Sequence, residues 1–405
     1  MRVTAIHRYF WPDSPPYASF LRQIATTWVG DGHRVDVVTG QPSYASDTDR
    51  RPRTETLDGV RIRRVPVLRD RAGGWRQLAN LVVFPLFVAA RILVGRRPDV
   101  VMCSTVPQVT LGVAVSVAAR LRRAHFVYHC MDLHPEIGRL SGEFANPIVY
   151  RVLARLDLAT MRRATRVVVL SEDMRQSVVR RDARLADRVV VLNNWSLPDF
   201  EEPVASPLDD PAPGLLRIVF TGNLGRFQGL DAVVEALAGL PADVRVEMVF
   251  MGEGRARPEI ERAARLLEAH PGVEVAFVPQ GPPSAAKALM GTAHLGLVTL
   301  VPEVVRFAYP SKTATYAGEG LPLLVVCEQD SELARTVAEQ GLGWTVAAGD
   351  QRGIVATVGA AATELADDGL ASRRRAVSGF ATTFAPETAL DRWSALLTDI
   401  AKEAP

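Results

Sequence analysis

The stretch WSLPDFEEPVASPLDDPAPGLLRIVFTG, residues 195–222, decides how this chain is built. Its first part, 195–214, is rich in Pro, Asp and Ser and has no periodicity, which is linker composition. It then passes straight into an apolar run that ends on glycine. Upstream, β-branched runs at 2–6, 34–39, 60–65, 99–103, 125–129, 166–170 and 189–194 alternate with helical patterns such as Ala18–Val29 and Gln108–Arg122. Downstream the alternation restarts, with runs at 217–222, 245–252, 273–278, 295–300, 322–327 and 343–347. Alternating helices and continuous apolar strands predict parallel sheets covered on both faces. The expected class is α/β: two doubly wound domains at 1–195 and 215–380, a linker at 196–214, and a tail at 381–405. Within that tail, the helical pattern Pro386–Lys402 has no strand after it and is free to pack elsewhere.

Composition agrees with two domains. A chain of 405 residues exceeds one ordinary core, and 48% hydrophobic with 23% charged residues describes a soluble globular protein. The net charge of +2 gives no bulk drive toward nucleic acid. Cys103, Cys130 and Cys327 lie far apart, without zinc spacing, and read as buried reduced thiols of a cytosolic protein. The opening MRVTAIHRYF reads as a first strand, not a secretory signal. The segment Leu78–Val94 contains Pro85 and Arg91 and falls short of the ~20 residues a bilayer needs. Flanked by Arg69, Arg71, Arg76, Arg96 and Arg97, it is either a buried helix or one that dips into an anionic membrane surface.

Doubly wound sheets bind ligands outside the carboxyl ends of their strands, so two such domains would offer two sites across a cleft. The loop after the first strand, HRYFWPDSPPYASF, lacks G-x-G-x-x-G, which speaks against a nicotinamide enzyme. In FTGNLGRFQGLD, 220–231, Gly222 and Gly225 allow close backbone approach and Arg226 supplies a cation. FMGEGRARPEIE, 250–261, carries acids that suit a ribose or base better than a phosphate. YPSKTATYAGEGLP, 309–322, holds one of only three lysines (287, 312, 402) in a chain whose other basic residues are all arginine. Ser311 reads as an N-cap, and Lys312 is a compact charge suited to a phosphate in a crowded turn. Lys312 and Arg226 are expected to converge on one diphosphate. In the first domain, FVYHCMDLHPE gathers His129, Asp132, His134 and Glu136 at a strand end. A metal site from His129, Asp132 and His134 would lack a completing ligand, so none is expected.

Taken together, these segments resemble the retaining glycosyltransferases of family 4 with GT-B architecture. The carriers are WVGDGHRVDVVTG, DLHPE, FTGNLGRFQGLD, FMGEGRARPEIE, PSKTATYAGEGLPLLV and EQGLGWTV, in that order along essentially the whole chain. The resemblance implies two Rossmann-like domains facing a cleft: the first binds the acceptor, the second the nucleotide-sugar, and the C-terminal helix crosses back to the first domain. It departs from the family pattern in several places. The E-x7-E glutamates fall at Phe307 and Thr315, so the Pro-Ser-Lys subgroup is the better match. The usual basic pair of the restart loop falls at Asn223 and Gln228, the first-loop glycines at Tyr17-Ala18, and the histidine before Asp132 at Met131.

The resemblance implies sugar transfer with retention from a UDP or GDP donor to a small-molecule or lipid-linked acceptor, as in polysaccharide or secondary-metabolite synthesis. No cofactor, metal or nucleic acid is implied. The expected location is cytoplasmic, with peripheral contact at the inner membrane face. Asp132, His129, Arg226 and Lys312 carry the catalytic expectation. Donor contacts fall to Tyr17, Gly222, Asn223, Gln228, Gly252, Glu253, Gly254, Pro310, Ser311, Thr313, Thr315 and Tyr316. A non-hydrolysing nucleotide-sugar epimerase, with Asp132 and Glu136 as acid and base, and a non-catalytic nucleotide-sugar sensor are the rival readings.

Overall fold

The computed structural model describes residues 1–13, 16–42, 50–67, 75–196, 202 and 204–403. The chain divides into two units: Met1–Leu197 with Phe307–Tyr309 and Glu387–Pro405, and Pro198–Arg306 with Pro310–Pro386.

The first unit is built on eight strands: β1 (Arg2–Ile6), β2 (Arg34–Thr39), β3 (Thr54–Leu57), β4 (Val60–Arg64), β5 (Val100–Ser104), β6 (His125–His129), β7 (Arg166–Val169) and β8 (Val189–Val191). Their order across the sheet is β3-β4-β2-β1-β5-β6-β7-β8, and only the β3–β4 pair is antiparallel. The strand order reverses between β1 and β5, which places the topological switch point there. β5 and β6 are buried at every position because helices cover both faces. Alternation divides their side chains between two cores: Val101, Cys103, Phe126 and Tyr128 face one, and Val100, Met102 and Val127 the other.

Strand β3 is a feature the sequence reading did not anticipate. TETL is short and polar, with two of its four residues exposed, as befits an edge strand. It is held by the Asp58-Gly59 turn, in which both residues have positive φ (53° and 76°), the twist a two-residue hairpin favours.

The helix Trp75–Val94 buries Asn80, Phe84, Val88 and Ile92 along one stripe and exposes Val82, Leu86, Phe87, Leu93 and Val94. It therefore packs half-buried on the sheet, and among the described residues no helix is long and apolar enough to cross a membrane. Arg69 and Arg71 lie outside the described residues, as does the side chain of Arg76.

The C-terminal helix, Pro386–Ala401, buries Trp393, Leu396, Leu397 and Ile400 in the core that also holds Trp28, Val100 and Met102. The Trp28 and Trp393 rings meet edge to face at 6.0 Å, and Trp28 Nε1 donates to the Trp393 carbonyl at 3.4 Å.

The second unit has six parallel strands, β9 (Leu216–Thr221), β10 (Val246–Met251), β11 (Val273–Val278), β12 (Leu295–Thr299), β13 (Leu323–Val326) and β14 (Gly343–Val346). Their order is β11-β10-β9-β12-β13-β14, so its switch point falls between β9 and β12.

Candidate active site

At the carboxyl ends of β9 and β10, two loops are joined backbone to backbone. Gly222 N–H donates to Met251 O at 2.7 Å, Leu224 N–H to Glu253 O at 2.9 Å, and Ala256 N–H to Leu224 O at 3.0 Å. The glycines make this possible. A Cβ on Gly252 (φ +149°) would lie 2.0 Å from Gly222 O, and one on Gly254 would lie 2.2 Å from Leu224 O. Gly252 and Gly254 were expected to approach a donor; their constraint is instead the neighbouring loop.

Gly222, at φ +105° and exposed, is different. A side chain there would point at Lys312, whose Nζ lies 3.5 Å from the Cβ position. Lys312 opens the helix Lys312–Gly318, half-buried, and has no carboxylate partner among the described residues. Burial lowers its ammonium to about 8. Arg226 is exposed in the 3-10 turn Arg226–Gln228 and likewise pairs with no acid among the described residues. Asn223, Glu253 and Ser311 are exposed, and Pro310 and Thr315 half-buried. Glu253 is bound by Arg257 at 2.7 Å.

Several expected donor contacts are structural. Ser311 makes no side-chain cap, because its own backbone is already helical (φ −59°, ψ −21°); its carbonyl accepts from Thr315. Gln228 is buried, and its Oε1 accepts Gly225 N–H at 2.8 Å, shaping the loop instead of meeting a ligand. Tyr316 is fully buried; its hydroxyl receives Thr221 N–H at 3.1 Å and donates to Val219 O at 3.4 Å, bracing the end of β9. Thr313 is buried, with its hydroxyl unpartnered by protein.

Glu328, which the sequence reading passed over, stands just beyond β13. Its carboxylate accepts Glu303 N–H and holds Glu303 at φ 73°, a conformation non-glycine residues seldom adopt. Its other oxygen is buried without a partner. The available signal was positional: it is the first charged residue after an apolar strand.

In the first unit, the switch point is closed by His7, just after β1, and Ser104, the last residue of β5, which share a hydrogen bond. Sequence reasoning missed both, since one histidine and one serine at strand ends carry no motif. Tyr17 is buried, and its hydroxyl is hydrogen-bonded to His129 Nδ1 at 2.9 Å, so its expected donor contact gives way to a core contact. His129 is itself buried, its ring tilted against that of Trp393 with centroids 4.8 Å apart, and burial holds its pKa at about 3. The expectation that His129 reaches out beside Asp132 is therefore corrected. It is a neutral interior imidazole under the C-terminal helix.

Asp132 remains available. It is half-buried, pairs through its backbone with Ala308, and its side chain has no partner among the described residues. Burial raises its carboxyl to about 6. Glu136 is committed to Arg181, which also holds Asp157 at 2.8 Å, while Tyr128 donates to Asp157 at 2.8 Å. His134 is buried, and burial with the Arg181 charge holds it at about 4. Among the described residues, no cluster of His, Cys, Asp and Glu has the makings of a metal centre.

Comparison with known proteins agrees with this layout. Residues 17–195 match the model of the glycosyl transferase 4-like domain. The probable glycosyltransferase WbjE of Pseudomonas aeruginosa is 26% identical over 67% of this chain and 67% of its own. Sucrose-phosphate synthase from Thermosynechococcus elongatus aligns with a TM-score of 0.70 at 16% identity, over 98% of both chains. HepE of Anabaena, solved in complex with UDP, aligns with a TM-score of 0.66 at 14% identity, over 98% of this chain and 100% of its own. At such identities the structural likeness is one of fold, and the catalytic inference rests on the sequence match. Residues 17–195 are thus matched to the glycosyl transferase 4-like domain, and the two switch-point sheets give the chain the GT-B fold of the glycosyltransferases it resembles.

Proposed function

We propose that the protein transfers a sugar, with retention, from a nucleoside diphosphate-sugar of UDP or GDP type to a small-molecule or lipid-linked acceptor. The observation that carries this reading is Lys312: a partly buried cation, with no carboxylate partner among the described residues, beside the exposed Gly222 of positive φ at the carboxyl ends of the second unit's strands. A leaving diphosphate would supply the missing negative charge, and a preorganised cation acts where that charge develops. Arg226 is the second cation of the same loop system. UDP in the HepE neighbour supports a nucleotide of this kind.

In the first unit, Asp132 is the group suited to orient or deprotonate the acceptor hydroxyl, since Glu136 is bound to Arg181 and His129 is interior. This commitment of Glu136 also weighs against an epimerase, which needs two free acid–base groups. Chemistry of this kind requires no divalent metal, because fixed cations take its place. A surface-polysaccharide or secondary-metabolite pathway, with peripheral contact at the cytoplasmic membrane face, is the setting proposed. The exposed apolar residues Val82, Leu86 and Phe87 of the helix Trp75–Val94 support that contact.

Thermal shift across a panel of nucleotide-sugars, followed by product analysis with the stabilising donor, tests the proposal. Transfer or slow donor hydrolysis with the anomeric configuration retained is expected. Binding without turnover would make the protein a sensor, and an isomerised donor formed without acceptor would make it an epimerase.

A further inference from the structure

Net charge conceals a strong asymmetry. Residues 1–197 contain 30 arginines against 17 acidic residues, whereas 198–405 contain 17 basic against 28 acidic. Part of the first excess is gathered in one place. A cavity of about 600 Å³ opens beside the amino ends of β1 and β2 and is lined by Arg2, Arg34, Arg61, Arg63, Arg91 and Arg96.

Asp36 is the one carboxylate among the lining residues, and it is spent on Arg61 at 3.4 Å and Arg63 at 3.3 Å. Asp99 binds the backbone N–H of Arg2 and not its guanidinium. Arg2, Arg34, Arg91 and Arg96 therefore present guanidiniums with no counter-ion among the described residues. Arg91 is pressed further: desolvation, then the charge of Arg63, outweigh the favourable charge of Asp36 and disfavour its protonated form, with Arg61 adding to the effect. Gly95 leaves its guanidinium room, since a Cβ there would lie 2.6 Å from Arg91 Nη1.

The contrast with a second basic cavity is informative. That one, of about 540 Å³, includes Arg166 and Arg188, but Arg166 is paired with Glu403 and Arg188 donates to the carbonyls of Arg162 and Ala164. Two of its five arginines thus tie chain segments together. In the first cavity Arg61 and Arg63 do so through Asp36, and the other four arginines have no ion pair among the described residues.

We propose that the cavity between Arg2, Arg34, Arg91 and Arg96 is a binding site for a multiply charged phosphate-bearing anion. Planar guanidiniums grip phosphate oxygens in pairs, and four without partners converge here. Arg2 and Arg34 stand at the amino ends of β1 and β2, and Arg2 is about 16 Å from His7 along β1 at ~3.3 Å per residue. The site is thus separate from the strand-end chemistry and independent of the glycosyl-transfer reading. The phosphate has two sources, a free polyphosphate or the headgroup of an anionic phospholipid.

Calorimetry with inorganic tripolyphosphate at low salt, and co-sedimentation with phosphatidylglycerol or phosphatidylcholine vesicles, test this on the full chain. Both use a Lys312→Ala background, so that the proposed donor site does not contribute. Tripolyphosphate, phosphatidylglycerol vesicles or both should bind. Arg34→Gln with Arg96→Gln should weaken that binding at least ~10-fold, about one charged hydrogen bond's worth. Arg34→Lys with Arg96→Lys should restore part of it. Both arginines are exposed and unpaired, so unliganded Tm should not move. Binding of tripolyphosphate alone assigns a soluble ligand, and binding of anionic vesicles alone assigns a headgroup; either upholds the site. Absence of binding to both, or binding indifferent to the Gln pair, overturns it.

Discussion

Lys312 Nζ lies 4.3 Å from the centroid of the Phe220 ring, so the one lysine at a strand-end loop of the second unit rests on an aromatic face instead of a carboxylate. A ring attracts a cation by roughly 1 kcal/mol without neutralising it. The ammonium is therefore positioned by β9 while its charge stays available to an incoming phosphate.

Removing that charge should be felt in turnover. Lys312→Ala is expected to lower kcat by ~10²-fold or more, the usual cost of one preorganised contact to developing charge. Circular dichroism should confirm an intact fold. Turnover equal to wild type would exclude Lys312 from the reaction.

The pH dependence follows from two shifted groups. Asp132, raised to about 6, must be ionised to accept a proton, so the rate should climb as pH rises through about 6. Lys312, lowered to about 8, must be protonated to stabilise diphosphate, so the rate should fall as pH rises through about 8. A bell between these values is expected in kcat/KM. Asp132→Asn should abolish the acidic limb and cut transfer by ~10²-fold or more while donor affinity holds. Collapse of donor affinity with transfer spared would place Asp132 elsewhere in the mechanism.

Chelation should be without effect. Turnover in EDTA is expected to match turnover in magnesium or manganese, because fixed cations are proposed to meet the diphosphate. Activity that vanishes with chelator and returns with either metal would contradict this.

The Arg181 network is a stability element. Arg181 neutralises Glu136 and Asp157, whose side chains are 11% and 1% exposed. Arg181→Leu should leave two buried carboxylates uncompensated and destabilise the first unit by about 3 kcal/mol or more in urea titration. A loss under 0.5 kcal/mol would mean that water reaches these acids.

Much of this was legible in the sequence because strand–helix alternation depends on local periodicity. Most strands were located to within about a residue or two, although the run at 189–194 overran β8 by three residues. The missed strand β3 had a local signal, the Asp58-Gly59 turn, but its polar, half-exposed residues lacked the apolar pattern that marks a buried strand. The strand-end position of Lys312 could likewise be inferred from residue order, since the run after β12 leads into a helix.

Partnership could not be inferred that way. His129, Asp132, Glu136 and Tyr17 look alike in sequence, as polar groups near strand ends. Only the packed chain commits Glu136 to Arg181, buries His129 against Trp393 from a helix 264 residues later, and leaves Asp132 without a side-chain partner among the described residues. Periodicity and turn chemistry are short-range properties that the sequence by itself determined: two parallel-sheet units, their strand ends and the loops at them. Which of those loop residues keeps a free charge was decided by tertiary structure, because desolvation and ion pairing depend on neighbours that meet only when distant segments pack.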